Sequence, residues 1–276
     1  MIIAKTLAEF TEAYGKLEHK SDVGFVPTMG ALHEGHISLV ERSVGKCSHT
    51  IVSIFVNPTQ FNNKQDLATY PRTLEADCEL LEKSGVDIVF APRVIDIYPE
   101  EDTRVFDMGG LDNYGEGPRR PGHFNGVVQV VTRLFDIVKP AFAFFGEKDF
   151  QQVAIIKYFV QKLGYPLQIV PCDIIREDDG LAKSSRNTLL TAAQREAAPH
   201  IYSTICKAKE LRMTPQETIA ELTKQIDANS ELETEYIEII DADSLTPIKN
   251  WSDSENVRLW CAVYARPVRL IDNIGL

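Results

Sequence analysis

Pro27-Thr28-Met29-Gly30-Ala31-Leu32-His33-Glu34-Gly35-His36-Ile37-Ser38-Leu39 is the stretch that decides how the chain is read. The apolar run Val23–Val26 precedes it and is short enough to be a buried strand, while Ile37-Ser38-Leu39-Val40-Glu41-Arg42 reads as a helix. A strand, a glycine-punctuated turn and a helix start together make an anion site. The first amides of the helix have no partner within it, and the positive end of its dipole faces the turn. Gly30 and Gly35 let the backbone come close to an anion. His33 and His36 are three positions apart, so both face one phosphate if the helix begins at Glu34. One histidine near a helix start is ordinarily a hydrogen-bonded structural group; two around a glycine shift the reading to a nucleotide phosphate site.

Outward from that stretch, strands and helices alternate. Thr6-Leu7-Ala8-Glu9 is a capping-box pattern ahead of Leu7, Phe10, Tyr14 and Leu17 at helical spacing. Thr50–Val56 reads as a buried parallel strand ending in the loop Asn57-Pro58-Thr59-Gln60-Phe61. Thr73–Ser84 is helical, with Leu74, Cys78 and Leu81 on one face and Gly85 as its stop, and Val86–Ala91 is a third strand. Residues 92–125 carry many glycines and prolines and no clear period, the mark of a functional or mobile segment. Gly126–Val138 reads as an apolar helix and Ala141–Phe145 as a strand leading into Gly146-Glu147-Lys148-Asp149. The helix Phe150–Leu163 and the strand Leu167–Ile175 follow. This alternation predicts an α/β fold, a Rossmann-like doubly wound parallel sheet with its ligand at the carboxyl ends of the strands. Beyond Arg176–Gly180 the helices Thr191–Glu210, kinked at Pro199, and Thr214–Ile226 precede strands near Glu235–Ile240, Val257–Tyr264 and Val268–Asp272. A boundary near residue 175 is expected, with residues 1–175 as the Rossmann-like domain and 176–276 as a smaller α+β lid.

Composition narrows the classes. A formal charge of −11 argues against general nucleic-acid or anionic-membrane binding, yet leaves room for a local basic pocket. The 44% hydrophobic content supports a substantial core. Cys47, Cys78, Cys172, Cys206 and Cys261 are odd in number, scattered and without a C-x-x-C pair, which points to reduced thiols and not to a disulfide frame or zinc site. Met1–Thr6 lack a basic region followed by an apolar stretch and no run reaches membrane-spanning length, so a soluble, cytoplasmic protein is expected.

Six motifs then fall into one register: PTMGALHEGHISL (27–39), FVNPTQF (55–61), YPRTLEAD (70–77), GHFNGVVQVV (122–131), FGEKDFQQ (145–152) and DGLAKSSRN (179–187), closed by RLIDN (269–273). In order and spacing they resemble the pantothenate synthetase (pantoate–β-alanine ligase) family, within the H-x-G-H nucleotidyl transferase superfamily. The resemblance implies condensation of (R)-pantoate with β-alanine at the expense of ATP, through a pantoyl-adenylate, with AMP and pyrophosphate released. It implies residues 1–175 as the ATP- and pantoate-binding domain, Mg²⁺ on the triphosphate, and a homodimer. It also implies His33, His36, Lys148 and Arg186 as the catalytic set. ATP contacts would come from Met29, Gly30, Ala31, Leu32, His33, Glu34, Gly35, His36, Gly146, Glu147, Lys148, Asp149, Ile175, Lys183, Ser184, Ser185 and Arg186.

The chemistry agrees with that set. A carboxylate meeting the α-phosphate of ATP brings two anions together, so fixed donors and cations are required. Gln60 and Gln152 are neutral amides that both donate and accept, suited to a hydroxy acid whose carboxylate must stay nucleophilic. Gln60 would also meet β-alanine, and Pro27, Met29, Phe61 and Val128 would wall pantoate's methyls. The amine of β-alanine must lose a proton before it attacks, and the resemblance gives His36 an acid/base role. Asp77 is the residue expected nearest the metal, against its alternative as a helical surface carboxylate. Lys183 stands where familiar members carry methionine or leucine; it either grips the triphosphate or points elsewhere. A nucleotidylyltransferase of the same superfamily is the alternative enzyme; it explains the histidines but not Gln60 and Gln152. A non-catalytic nucleotide sensor would show damaged cation positions, and none is missing.

Overall fold

The computed structural model describes the chain except residues 62–63 and the side chains of residues 64–66. In chain order the elements are β1 (Ile2–Ala4), α1 (Leu7–Gly15), β2 (Val23–Thr28), α2 (Glu34–Val44), β3 (His49–Ile54), α3 (Lys64–Thr69), α4 (Leu74–Lys83), β4 (Ile88–Phe90), α5 (Val94–Ile97), α6 (Glu116–Arg119), α7 (His123–Val138) and β5 (Phe142–Gly146). They continue with α8 (Phe150–Lys162), β6 (Gln168–Cys172), α9 (Ala192–Ala197), α10 (Pro199–Ile205), α11 (Pro215–Asp227), β7 (Glu233–Asp241), β8 (Val257–Ala265) and β9 (Val268–Gly275).

Six strands form one parallel sheet in the order β1-β4-β3-β2-β5-β6. Neighbouring residues of its strands belong to opposite cores. Phe25, Ile51 and Ile88 sit in the cluster with Phe10, Leu134 and Phe135, while Val26, Val52 and Val89 sit with Val40, Leu81 and Phe144. Both faces are therefore covered, which is why these strands read as unbroken apolar runs. From β2 the chain order runs one way to β3 and β4 and the other way to β5 and β6. The β2–β5 seam is thus the switch point where open α/β sheets take ligands, and the loop after β2 leaves its carboxyl end there.

The chain divides into two compact units. The first comprises Met1–Met108, Arg120–Glu147 and Gln152–Asp173 and contains the parallel sheet. The second comprises Gly109–Arg119, Lys148–Gln151 and Ile174–Leu276. A single cut near residue 175 overlooks the two short pieces that the second unit takes from the first half. The second unit holds the antiparallel sheet β7-β8-β9, covered by α10 and α11 through Ile201, Ile205, Leu222, Ile226, Leu259 and Val263. α11 opens on the Thr214–Glu217 capping box with Pro215 in its first turn.

Two elements differ from expectation. β1 pairs in parallel with β4 as an edge strand; at three residues it is too short for alternation to betray it. Thr191–Glu210 is two helices and a 3₁₀ turn instead of one kinked helix, because Pro199 has no amide to continue α9 and instead starts α10. Among the described residues no helix is long and apolar enough to cross a membrane. All five thiols are free, with Cys78, Cys172 and Cys261 buried; burial pushes the Cys172 thiol up to about 11.

Candidate active site

At the carboxyl end of β2 the backbone turns with Gly30 at φ +83° and Ala31 at φ +51°. A β-carbon on Gly30 would lie 3.1 Å from both Asp77 Oδ2 and Ile54 Cγ2, so space as well as angle requires glycine. Ala31 does carry a β-carbon in the left-handed region, a strain of order 1–3 kcal/mol that its surroundings must hold in place. Asp77 does so. The Ala31 N–H donates to its Oδ2 at 3.0 Å and the Leu32 N–H to its Oδ1 at 2.8 Å. The Thr73 hydroxyl lies 3.2 Å from each carboxylate oxygen. Below the turn, the Thr28 hydroxyl donates to the Ser53 carbonyl at 2.7 Å and accepts from the Gly30 N–H at 3.3 Å.

Asp77, the residue expected nearest the metal, supports the phosphate loop in this structure. Its side chain is buried and each oxygen accepts a loop amide, so it is not a surface carboxylate and its observed part is to hold the turn. Among the described residues no group of three or more His, Cys, Asp and Glu side chains is disposed to hold an ion.

His33 caps α2. The Gly35 N–H donates to His33 Nδ1 at 3.1 Å, and the His33 N–H donates to His36 Nδ1 at 3.4 Å, a capping box built from two imidazoles. Their ring centroids are 4.1 Å apart. A ring nitrogen that accepts carries no proton, so each neutral imidazole bears its N–H on Nε2. The pair therefore offers two donors, the need of a phosphoryl oxygen. Glu34 is exposed in the first turn of α2, with Gly35 half-buried beside it.

Gln60 closes a 3₁₀ turn, Pro58–Gln60, after β3. Its Oε1 accepts from Asn57 Nδ2 at 3.1 Å, and its Nε2 donates to Met29 Sδ at 3.1 Å. Thioether sulfur is a weak acceptor, readily exchanged for a substrate oxygen. The amide expected to bind pantoate thus touches the phosphate loop itself. Asn57, 1% exposed, organises this turn. It donates to the Gly126 carbonyl at 3.0 Å and accepts from the Tyr98 hydroxyl at 2.9 Å and from Thr59. Burial raises the Tyr98 hydroxyl's pKa, so it stays a donor. His123 Nδ1 donates to the Gln60 carbonyl at 2.9 Å, the only sense a carbonyl permits. A β-carbon on Gly126 would lie 2.4 Å from the Thr59 carbonyl oxygen; α7 approaches the turn backbone to backbone.

Sequence reasoning quoted Asn57 without giving it a role, and passed over Tyr98 and His123. The Asn-Pro pair at a strand end is a turn-cap signal that marks Asn57; the other two have no local signature. Gln152 is half-buried on the first turn of α8 and Phe61 packs edge-on to Tyr70, centroids 5.7 Å apart. Val128 is buried against Val131, Phe135, Ile156 and Phe159 around a small apolar cavity, so it is a core residue and not an exposed wall.

Gly146 and Glu147, at the end of β5, belong to the first unit, and Lys148 and Asp149 to the second. In the second unit Ile175–Glu177 pairs back on Leu181–Lys183 as a tight hairpin. Glu177 N–H donates to the Leu181 carbonyl at 2.8 Å and Lys183 N–H to the Ile175 carbonyl at 2.9 Å. Lys183 Nζ lies 3.0 Å from Glu177 Oε2 across it. The ammonium whose role the sequence left open has a carboxylate partner in its own hairpin. Ser184 caps the 3₁₀ helix Ser185–Leu189, accepting from the Arg186 N–H at 3.3 Å, and so sets the backbone that carries the Arg186 guanidinium. The structure thus gathers Met29, Gly30, Ala31, His33, His36, Asp77 and Gln60 at one strand end of the first unit. Ile175 and Lys183 share one hairpin of the second, which leads into Ser184 and the 3₁₀ helix that carries Ser185 and Arg186.

Known proteins place this arrangement. The family model for pantoate-beta-alanine ligase matches residues 2–275. Pantothenate synthetase of Porphyromonas gingivalis (ATCC 33277) is 51% identical over 264 residues, covering 95% of this chain and 94% of its own. That of Bacteroides thetaiotaomicron is 52% identical, covering 91% and 90%. Among solved structures, pantothenate synthetase from Thermus thermophilus superposes with a TM-score of 0.92 at 40% identity over 99% of each chain. The Francisella tularensis ligase, complexed with beta-gamma ATP and beta-alanine, gives 0.85 at 39% identity over 100% of this chain and 97% of that one. A match along essentially the whole length, with the parallel and antiparallel sheets both in place, shows that the chain belongs to the pantoate–β-alanine ligase family.

Proposed function

We propose that this chain joins (R)-pantoate to β-alanine with ATP, forming pantothenate, AMP and pyrophosphate through a pantoyl-adenylate. The observation that carries the reading is the contact between Gln60 and Met29. It ties an amide suited to a hydroxy acid directly to a loop whose two imidazoles donate to phosphate. A nucleotidylyltransferase has no use for that junction.

In the first step a pantoate carboxylate oxygen attacks the α-phosphorus, and the bond to pyrophosphate breaks. Negative charge grows on the phosphoryl oxygens, where the Nε2–H groups of His33 and His36 supply hydrogen bonds and the cations Lys148 and Arg186 supply charge. In the second step the β-alanine nitrogen, already deprotonated to the free amine, attacks the acyl carbon, the acyl C–O bond to AMP breaks, and the surplus proton on nitrogen passes to the departing phosphate or to solvent. With its Nδ1 accepting from the backbone, His36 enters the reaction as a donor, the acid side of the role implied by resemblance. Glu34, Gly35, Gly146, Glu147, Asp149, Ile175, Ser184 and Ser185 complete the proposed nucleotide contacts, and Gln152 the pantoate contacts. Mg²⁺ would enter with the nucleotide as Mg·ATP and supply positive charge to the phosphate oxygens.

The test is an assay with ATP, pantoate and β-alanine, reading AMP and pantothenate, beside pyrophosphate exchange into ATP with pantoate alone. Both signals are expected. Exchange that requires no pantoate, or AMP without amide, would overturn the proposal. His36→Ala and Lys148→Ala should each lower turnover by about 10²–10³-fold, as loss of a single electrostatic donor does elsewhere.

A further inference from the structure

The closing motif RLIDN has no part in the chemistry above, yet two of its residues are buried and polar: Asp272 is 6% exposed and Asn273 3%. They stand consecutively on β9, and each reaches a different cation-bearing segment of the second unit.

Asn273 Nδ2 donates to the Lys148 backbone carbonyl at 3.1 Å. Its Oδ1 accepts from Arg258 Nη1 at 2.5 Å, and that guanidinium lies over the Phe150 ring, 4.0 Å from its centroid. The piece Lys148–Gln151 is thus held at two points by β8 and β9. Asp272 takes a fork from Arg176, with Nη1 on Oδ2 at 2.7 Å and Nη2 on Oδ1 at 2.8 Å. Arg176 Nη1 also donates to the Gly180 carbonyl at 3.0 Å, and the guanidinium stacks 3.6 Å from the Tyr202 centroid. This grips the hairpin that runs straight into Lys183, Ser184, Ser185 and Arg186. The two anchors are themselves joined, because the Asn273 N–H donates to Asp272 Oδ1 at 2.7 Å.

A buried arginine–aspartate pair is weak evidence for stability, since its desolvation cost offsets much of the attraction; its clearer use is to fix geometry. Here the fixed quantity is the placing of the Lys148 segment against the Arg186 segment. We propose that Asp272 and Asn273 are positioning residues of the ligase reaction. They touch no substrate, and they set the two cations at the spacing that the pentacoordinate phosphorus needs. This rests on the function proposed above.

The test uses the full-length enzyme and pantoate-dependent pyrophosphate exchange. Asn273→Ala is expected to lower kcat by about 10–100-fold, the scale on which small misplacements act, while the pantoate KM stays within about twofold. Combining it with Lys148→Ala decides the matter: a residue that works through Lys148 adds less than about threefold to the loss already caused by Lys148→Ala. Asp272→Asn paired with Arg186→Ala gives the same comparison at the other anchor. Multiplicative losses in the double variants would overturn the inference, as would single-variant losses matching a fall in folded fraction by circular dichroism. If Asp272→Asn does not fold, the Asn273 pair decides alone. Wild-type exchange and amide formation are the control: their failure removes the proposed function, whereas their success with multiplicative doubles removes only this inference.

Discussion

At the scale of single residues, the carboxylate of Asp77 does work that no sequence period announces. It supports a left-handed alanine by accepting two consecutive loop amides. Replacing it with alanine leaves those buried donors unpaired, which costs about 1–3 kcal/mol each. Asp77→Ala is therefore expected to lower the urea midpoint and raise the ATP KM, with the Mg²⁺ concentration for half-maximal activity unchanged. A shift confined to the Mg²⁺ requirement would show the metal role. Lys183 is answered by the same kind of observation. Its ammonium is paired with Glu177, so Lys183→Leu should leave the ATP KM within about twofold. A tenfold rise would show that the ammonium reaches the triphosphate instead.

Among elements, the seam between α7 and the Pro58–Gln60 turn is the most exacting. Gly126→Ala gains up to about 1 kcal/mol of helix propensity and loses about 1–3 kcal/mol to overpacking, since its β-carbon meets the Thr59 carbonyl. Net stability should fall by up to about 2 kcal/mol, and the turn that holds Gln60 must move. The expected signature is a pantoate KM raised several-fold with the ATP KM unchanged. This seam also shows where sequence reading stops. The phosphate loop and its helix were legible because a strand, Gly30 and two histidines are consecutive, and the capping boxes of α1 and α11 are likewise local. The partnership of Asn57 with Gly126, 69 positions apart, leaves no periodic trace. The same holds for Asp272 with Arg176. Asp77 was visible, but the amides it accepts lie 45 and 46 positions away, so its part in holding the loop left no local trace.

Taken as a whole molecule, the chain owes part of its pH tolerance to carboxylates held below their ordinary range. Asp102 is the strongest case in the first unit. Hydrogen bonds from Arg104 and Arg133 outweigh its burial, and its side chain is 1% exposed. Asp179, paired with Arg195, and Asp241, bonded to Ser244 and Ser254, are depressed in the second. A carboxylate depressed in the folded state contributes fully above its unfolded value of about 4 and loses that contribution as pH falls toward its folded value. Urea midpoints should therefore be level from neutral pH to about 5 and fall steeply below about 4. Asp102→Asn should flatten that acid limb, and a curve of unchanged shape would remove Asp102 as its source.

The chain threads the two units alternately, in six successive segments. Glu116, from the short piece Gly109–Arg119, accepts both arms of Arg269 on β9 and the hydroxyl of Tyr236 on β7. During synthesis the six-stranded sheet has all its strands once residue 172 has emerged. The antiparallel sheet waits for β7, β8 and β9, which all follow the parallel strands in chain order. Glu116 is made more than a hundred residues before the arginine it will neutralise. A released chain truncated after residue 264, which lacks β9, should therefore already resist protease across its parallel sheet while remaining cleavable between residues 176 and 264.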